Sequence, residues 1–266
     1  SCNHTPFMST GEGENPDSSL FSHTMGIETH FTNRSLRAQE IFTADDSLTF
    51  DEFLKAKYDL SYSPESKYAE LWGRVTSSVT SNDPLITEAL AFMGSWNYRI
   101  SVESREAALS ILTLRELRSY LRRGSDPPDA ETMEQAVQTA TQFLMKHYGR
   151  LDVPYGEVQR HIRGDENHPL AGGPDVLRAI YSYPDGNGQL VGEGGDSYIL
   201  AVRWDREGNM TSFSGHPFGS ATIDEASSHY DDQSPLFARH ELKPVWLKLE
   251  DIKANLESAY RPGEEK

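Results

Sequence analysis

A single cysteine, Cys2, among 266 residues excludes an intrachain disulfide and any cysteine-rich metal site. Basic residues are scarce: 25 Lys and Arg face 41 Asp and Glu, for a net charge of −16. The one basic cluster is Arg118-Ser119-Tyr120-Leu121-Arg122-Arg123. Binding a phosphate backbone calls for a broader basic surface, so nucleic acid is excluded as a partner. Long apolar runs are missing too. None approaches the roughly 20 residues that cross a bilayer as a helix, and no membrane partner is expected. Familiar hydrolase signatures are absent: neither Cys2 with a His nor any Ser in a Gly-x-Ser-x-Gly elbow supports nucleophilic catalysis of those kinds.

Aromatic residues are plentiful, with 12 Tyr, 11 Phe and 4 Trp, too many for a disordered chain and enough for a globular core. Residues 8–24 read as a long exposed loop of small and polar residues. Helical spacing begins over 33–42. A second helix follows at 47–54, capped by Ser47 or Thr49, with Glu52 placed for a capping box. Further helices are expected over 87–96, 104–121 and 130–148.

After Asp152 short β-prone runs take over. Residues 198–204 and 210–215 flank a Gly-containing turn at 205–209 and predict a hairpin, with further strands at 176–183 and 245–249 and a tail helix over 251–260. The fold class is α+β, a helix-rich first half followed by an antiparallel sheet segment. Three regions are expected within one domain: 1–35, an active-site strand and long loop; 36–150, helical; and 151–266, sheet-containing.

Several segments invite a chemical reading. Asp185-Gly186-Asn187-Gly188-Gln189 and Gly192-Glu193-Gly194-Gly195-Asp196 are glycine-rich, but no Lys-Ser/Thr follows, so glycine-rich turns entering a strand are expected in place of a phosphate loop. His229-Tyr230-Asp231-Asp232-Gln233 holds a His and two carboxylates that could ligate a metal with His216 or His240. Hydrogen-bonded turn residues are the favoured reading there. The chain opens Ser1-Cys2-Asn3-His4-Thr5-Pro6-Phe7, and two readings of Ser1 stand. It is either a terminal nucleophile whose own α-amine serves as base, or an edge just upstream of a carboxamide, Asn3, that aims an N–H into a cleft.

The order of motifs resembles the penicillin acylase superfamily of N-terminal-nucleophile (Ntn) hydrolases, and within it the branch of acyl-homoserine lactone and aculeacin-type acylases. The motifs are Asn3-His4-Thr5-Pro6-Phe7, Met25-Gly26-Ile27-Glu28, Asn33-Arg34-Ser35-Leu36-Arg37-Ala38, Leu48-Thr49-Phe50-Asp51-Glu52-Phe53, Lys57-Tyr58-Asp59 and Tyr62-Ser63. Further along come Tyr155-Gly156-Glu157-Val158, Leu170-Ala171-Gly172-Gly173-Pro174-Asp175, Gly194-Gly195-Asp196-Ser197-Tyr198 and Ser228-His229-Tyr230-Asp231-Asp232-Gln233.

The resemblance implies the C-terminal part of a β subunit and a partial αββα four-layer sandwich. It also implies a nucleophilic Ser on upstream sequence, so that Ser1 is an edge. Partners are then the α subunit, the N-terminal part of the β subunit and a small acylated amide. Asn3 matches the family's oxyanion-hole Asn, and Arg34 matches an Arg that holds the polar network around it. The reaction implied is hydrolysis of a linear amide of the N-acyl-homoserine lactone or β-lactam side-chain type, in the periplasm or outside the cell, with the isolated chain inactive. No cofactor is required. The family's structural calcium has no assignable ligands here; its acidic position falls near Asp17 with different loop lengths. The alternatives are a complete small hydrolase using Ser1 and a noncatalytic binding module of the same fold. Two departures stand out: Gly219-Ser220-Ala221 where Gly-Gln-Ser is usual, and Trp96-Asn97-Tyr98 in place of Trp-Asp-Gly, which points to an altered helix exit.

Overall fold

The computed structural model describes residues 5–11, 13–121, 125–261 and 263–264; Ser1 and Asn3 lie outside them. From Thr5 to Thr32 the chain runs as a loop with three short 3₁₀ turns, Pro6–Met8, Ser18–Leu20 and His23–Met25. Each is opened by a polar side chain, Thr5, Asp17 or Ser22, that accepts a backbone N–H the turn would otherwise leave unpaired.

Helix α1 (Asn33–Thr43) starts at the cap Thr32, and α2 (Phe50–Lys57) at Thr49, where both hydrogen bonds of the capping box with Glu52 are formed. Then come α3 (Lys67–Ser78), α4 (Pro84–Met93), α5 (Arg105–Glu116) and α6 (Ala130–Tyr148). Pro84 occupies the first turn of α4, where its missing N–H costs nothing. Helix α5 is the hub: every residue from Ala107 to Leu114 is buried, so it must be surrounded on all sides. It packs with Trp72 and Val75 of α3, Ala89 and Met93 of α4, and Val137, Ala140 and Leu144 of α6. The sequence reading passes over α3, although its buried Ala69, Trp72 and Val75 recur at three-residue steps. At the departure noted above, Tyr98 sits at φ 63, a left-handed conformation suited to glycine, and its ring packs against Trp72 and Trp96.

The sheet region begins with a single turn, α7 (Tyr155–Val158), and four strands: β1 (Gln159–Arg163), β2 (Glu166–Pro169), β3 (Ile180–Pro184) and β4 (Leu190–Gly195). Their order is β2-β1-β4-β3. The expected all-antiparallel segment is corrected here, because β4 runs parallel to β1. Residues 170–179 and β3 intervene and bring the chain back alongside β1 in the same direction, as a parallel pair requires. The strand expected from 176 begins at 180. The glycines at 192–195 belong to β4 itself and not to a turn. A Cβ on Gly192 would lie 2.6 Å from Leu170, and one on Gly195 would lie 2.1 Å from the Ala179 carbonyl, so close backbone approach demands glycine.

The hairpin is as expected: β5 (Ile199–Trp204) and β6 (Met210–Gly215) pair antiparallel, and Asp205 accepts the Asn209 N–H in the turn. The strand expected at 245–249 is replaced by a two-residue β7 (Lys243–Pro244) beside β6. The backbone N–H of Val245 still reaches the Ser212 carbonyl; a helix, α9 (Leu249–Ala254), then begins, shorter than the tail helix expected. Between β6 and β7 lies α8 (Ser234–Ala238). Its Phe237 joins Leu170, Ile180 and Ile199 in a second small core that couples the two sheets.

Candidate functional site

The first turn of α1 is docked onto the loop that leads into β3. Asn33 is buried and makes four hydrogen bonds. Its backbone N–H reaches Asp175 Oδ2 at 2.8 Å, its Nδ2 donates to the carbonyls of Asp175 (2.8 Å) and Ser61 (3.2 Å), and its Oδ1 accepts from Ser63 N at 2.7 Å. The next residue, Arg34, donates from Nε to Asp175 Oδ1 at 3.1 Å. One carboxylate therefore uses both oxygens to hold the start of a helix and the guanidinium beside it. The arrangement suits the positive end of the helix dipole, and both side chains of the ion pair are only about a fifth exposed (22% and 21%).

The loop is shaped for this. Asp175 lies at φ 59, Tyr62 Oη donates to the Pro174 carbonyl at 2.7 Å, and Gly172 lies at φ 100. A Cβ on Gly172 would fall 2.4 Å from the Arg178 carbonyl. Tyr62 is fully enclosed and its phenol pKa is driven up by burial, so it stays a donor.

One turn along α1, Arg37 forks onto Asp59, with Nε and Nη2 at 3.0 and 3.1 Å from the two oxygens, and its third arm meets Glu40. These partners raise its pKa, the Asp59 hydrogen bond first. The Asp59 carbonyl accepts from Arg178 N at 3.0 Å. Arg178 is fully buried. It donates Nη1 to Asp196 Oδ2 (2.9 Å) and Nη2 to the Phe237 carbonyl (2.9 Å), and Lys57 Nζ meets the same Asp196 oxygen at 2.7 Å. Burial lowers the guanidinium pKa, and Asp196 opposes that shift. Beside it, His240 stacks on Tyr58 with ring centres 4.5 Å apart and planes 8° from parallel. Burial, then Arg178 and Lys57, bring its pKa from 6.5 down to about 4. Two arginines of α1, the end of α2, the segments flanking β3 and β4, and α8 are thus joined by one polar framework.

The sequence reading named Arg34 as a support of Asn3 and passed over the partners seen around it, Asn33, Asp59, Asp175, Arg178 and Asp196. Asp59, Asp175 and Asp196 each lie within a motif quoted above, but nothing local in those runs marks them as partners of distant side chains. Asn3 lies outside the described residues. The three histidines weighed as metal ligands are apart: His229 bridges Asp232 (2.8 Å) and Glu257 (2.7 Å), His216 lies against Tyr198, and His240 against Tyr58. Both carboxylates raise the His229 pKa, Asp232 most. Asp17 caps a turn by accepting from Ser19 N at 2.8 Å. Among the described residues no group of three or more His, Cys, Asp or Glu side chains is placed to hold a metal ion. The chemistry available is positional: permanently charged guanidiniums held in fixed planes.

Comparison with known proteins adds the following. The penicillin amidase family model matches residues 5–254. A stretch of 136 residues is 30% identical to the acyl-homoserine lactone acylase PvdQ of Pseudomonas fluorescens, covering 48% of this chain and 17% of that protein. Against acyl-homoserine lactone acylase PvdQ of Pseudomonas putida the identity is 33% over 110 residues, 39% of this chain and 13% of that one. The matches thus span less than a fifth of these curated relatives. A solved thermostable penicillin G acylase from Alcaligenes faecalis overlays with a TM-score of 0.45 at 13% identity, covering 95% of this chain and 54% of the other.

Proposed function

The chain belongs to the penicillin amidase family, whose model matches residues 5–254, and from that premise we propose that it works as part of an amide-hydrolysing acylase. The observation that supports the proposal is the pairing of Arg34 with Asp175 at the buried start of α1, which holds in a fixed plane the guanidinium this reading takes as the Arg of the family motif. In this reading the Asn3 side-chain N–H stabilises the oxyanion that forms when a nucleophile attacks the substrate carbonyl. Arg34 then holds the carboxamide of Asn3 by its oxygen and leaves the N–H to face the reaction. The nucleophile is a Ser whose own α-amine acts as base, with an unperturbed pKa of about 7.7 to 8.0, carried on sequence outside this chain. The substrate is a linear amide, of the acyl-homoserine lactone or β-lactam side-chain type, and the reaction takes place in the periplasm or outside the cell.

The test is reconstitution. The 266-residue chain alone is expected to leave N-acyl-homoserine lactones and phenylacetyl amides intact. Co-expressed with the segment encoded immediately upstream, it is expected to hydrolyse at least one of them. Hydrolysis at enzyme-like rates by the chain alone would overturn the placement of the nucleophile. No hydrolysis of any acyl amide by the co-expressed pair would overturn the acylase reading.

A further inference from the structure

A cavity of about 180 Å³ lies between the end of α5 and strand β3, with Tyr62 and Pro174 in its wall. Its lining combines aliphatic Ile111 and Leu114, the rings of Tyr62 and Tyr68, and two guanidiniums, Arg115 and Arg118. A mostly apolar wall with few charged groups is the usual make-up of a small-molecule site.

The two cations are unevenly committed. Arg115 is half-buried and donates Nη1 to the Ser182 carbonyl at 2.6 Å, which fixes it against β3. Arg118, in the 3₁₀ turn Arg118–Leu121 that follows α5, is exposed, and its guanidinium has no hydrogen bond or ion pair with any described residue. Burial first, and Arg118 second, lower the pKa of Arg115, while Glu116 works the other way. Two neighbouring cations are therefore repelling each other beside an apolar cavity, without an ion-paired carboxylate among the described residues. The Tyr68 hydroxyl likewise has no hydrogen-bond partner among those residues, and burial raises its pKa so that it remains a donor.

We propose that this cavity binds a small apolar monocarboxylate, an aromatic or short aliphatic acid. Its ring or chain lies among Ile111, Leu114 and the tyrosines, and its carboxylate rests on Arg118 and Arg115. Planar carboxylate suits the guanidinium fork, and the aliphatic and tyrosine lining rewards an apolar body that a bare anion lacks. The proposal concerns binding by the chain itself and stands or falls separately from amide hydrolysis.

Isothermal titration of the full 266-residue chain with phenylacetate tests it. Saturable one-to-one binding is expected, and the neutral isostere phenylacetamide should bind at least about tenfold more weakly for want of charge-assisted hydrogen bonds. Arg118→Glu should weaken phenylacetate about tenfold or more, whereas Arg206→Glu, which changes net charge equally on the remote β5–β6 turn, should leave it unchanged. Absence of saturable binding at millimolar phenylacetate would overturn the proposal. So would equal binding by phenylacetamide, an unaltered affinity in Arg118→Glu, an equal loss in Arg206→Glu, or inorganic phosphate binding at Arg118 as tightly as the acid.

Discussion

Arg34 Nε lies 3.1 Å from Asp175 Oδ1, a contact that spans 141 residues of sequence and ties the start of the helical half to the loop entering β3. Asp175 holds the Asn33 N–H with its other oxygen, so the pair fixes a helix terminus and a side chain together. Asp175→Asn keeps the shape and loses the charge. It should cost about 1–2 kcal/mol in urea unfolding, since a partly buried hydrogen bond to a charged group is at stake. Asp175→Ala strands both donors and should cost about 3 kcal/mol or more.

Gly172 should tolerate no side chain. Its φ of 100 and the 2.4 Å approach to the Arg178 carbonyl add steric overlap to backbone strain. Gly172→Ala should lose about 3 kcal/mol or more, measured by thermal unfolding. Gly186→Ala, at φ 83 with open space around it, isolates the strain alone and should lose about 1–2 kcal/mol.

His240 gives a pH dependence whose sign follows from its depressed pKa. Above about pH 8 the imidazole is neutral folded and unfolded alike, and it contributes no pH dependence there. As pH falls from 6.5 toward about 4, the unfolded chain takes up a proton that the folded one resists, so stability is lost across that window. His240→Asn removes the proton and suits the left-handed backbone at φ 60. The difference in unfolding free energy between wild type and this variant should therefore change between about pH 8 and pH 4 and be flat above pH 8; a constant difference would contradict the assignment.

The capping box of α2 offers a local control. Thr49→Ala should cost about 1 kcal/mol in urea unfolding, and Ser47→Ala, whose hydroxyl bonds only Asp45 among the described residues, should cost a few tenths at most.

That contrast bears on what the sequence made legible. The Thr49 and Glu52 cap and the 205–209 hairpin turn were readable because their partners lie three or four residues away. Arg34 was readable only through motif resemblance. Its anchor was not, because nothing local in Pro174-Asp175 announces a contact across 141 residues or a backbone at φ 59. The parallel β1–β4 pair was missed for the same reason, since strand direction is set by the path between strands and not by the pattern within them. Helix α3 was legible but passed over: Lys67, Glu70 and Arg74 line its outer face, where Glu70 and Arg74 pair, opposite the buried Ala69, Trp72 and Val75.

The most direct test of Asn3 as the oxyanion donor is the kcat of Asn3→Ala in the reconstituted acylase, with binding read from KM. A loss of about 10² to 10³ in kcat with little change in KM is expected, because the donor acts on charge that develops only in the transition state. An unchanged kcat would contradict the assignment and move the oxyanion contact elsewhere.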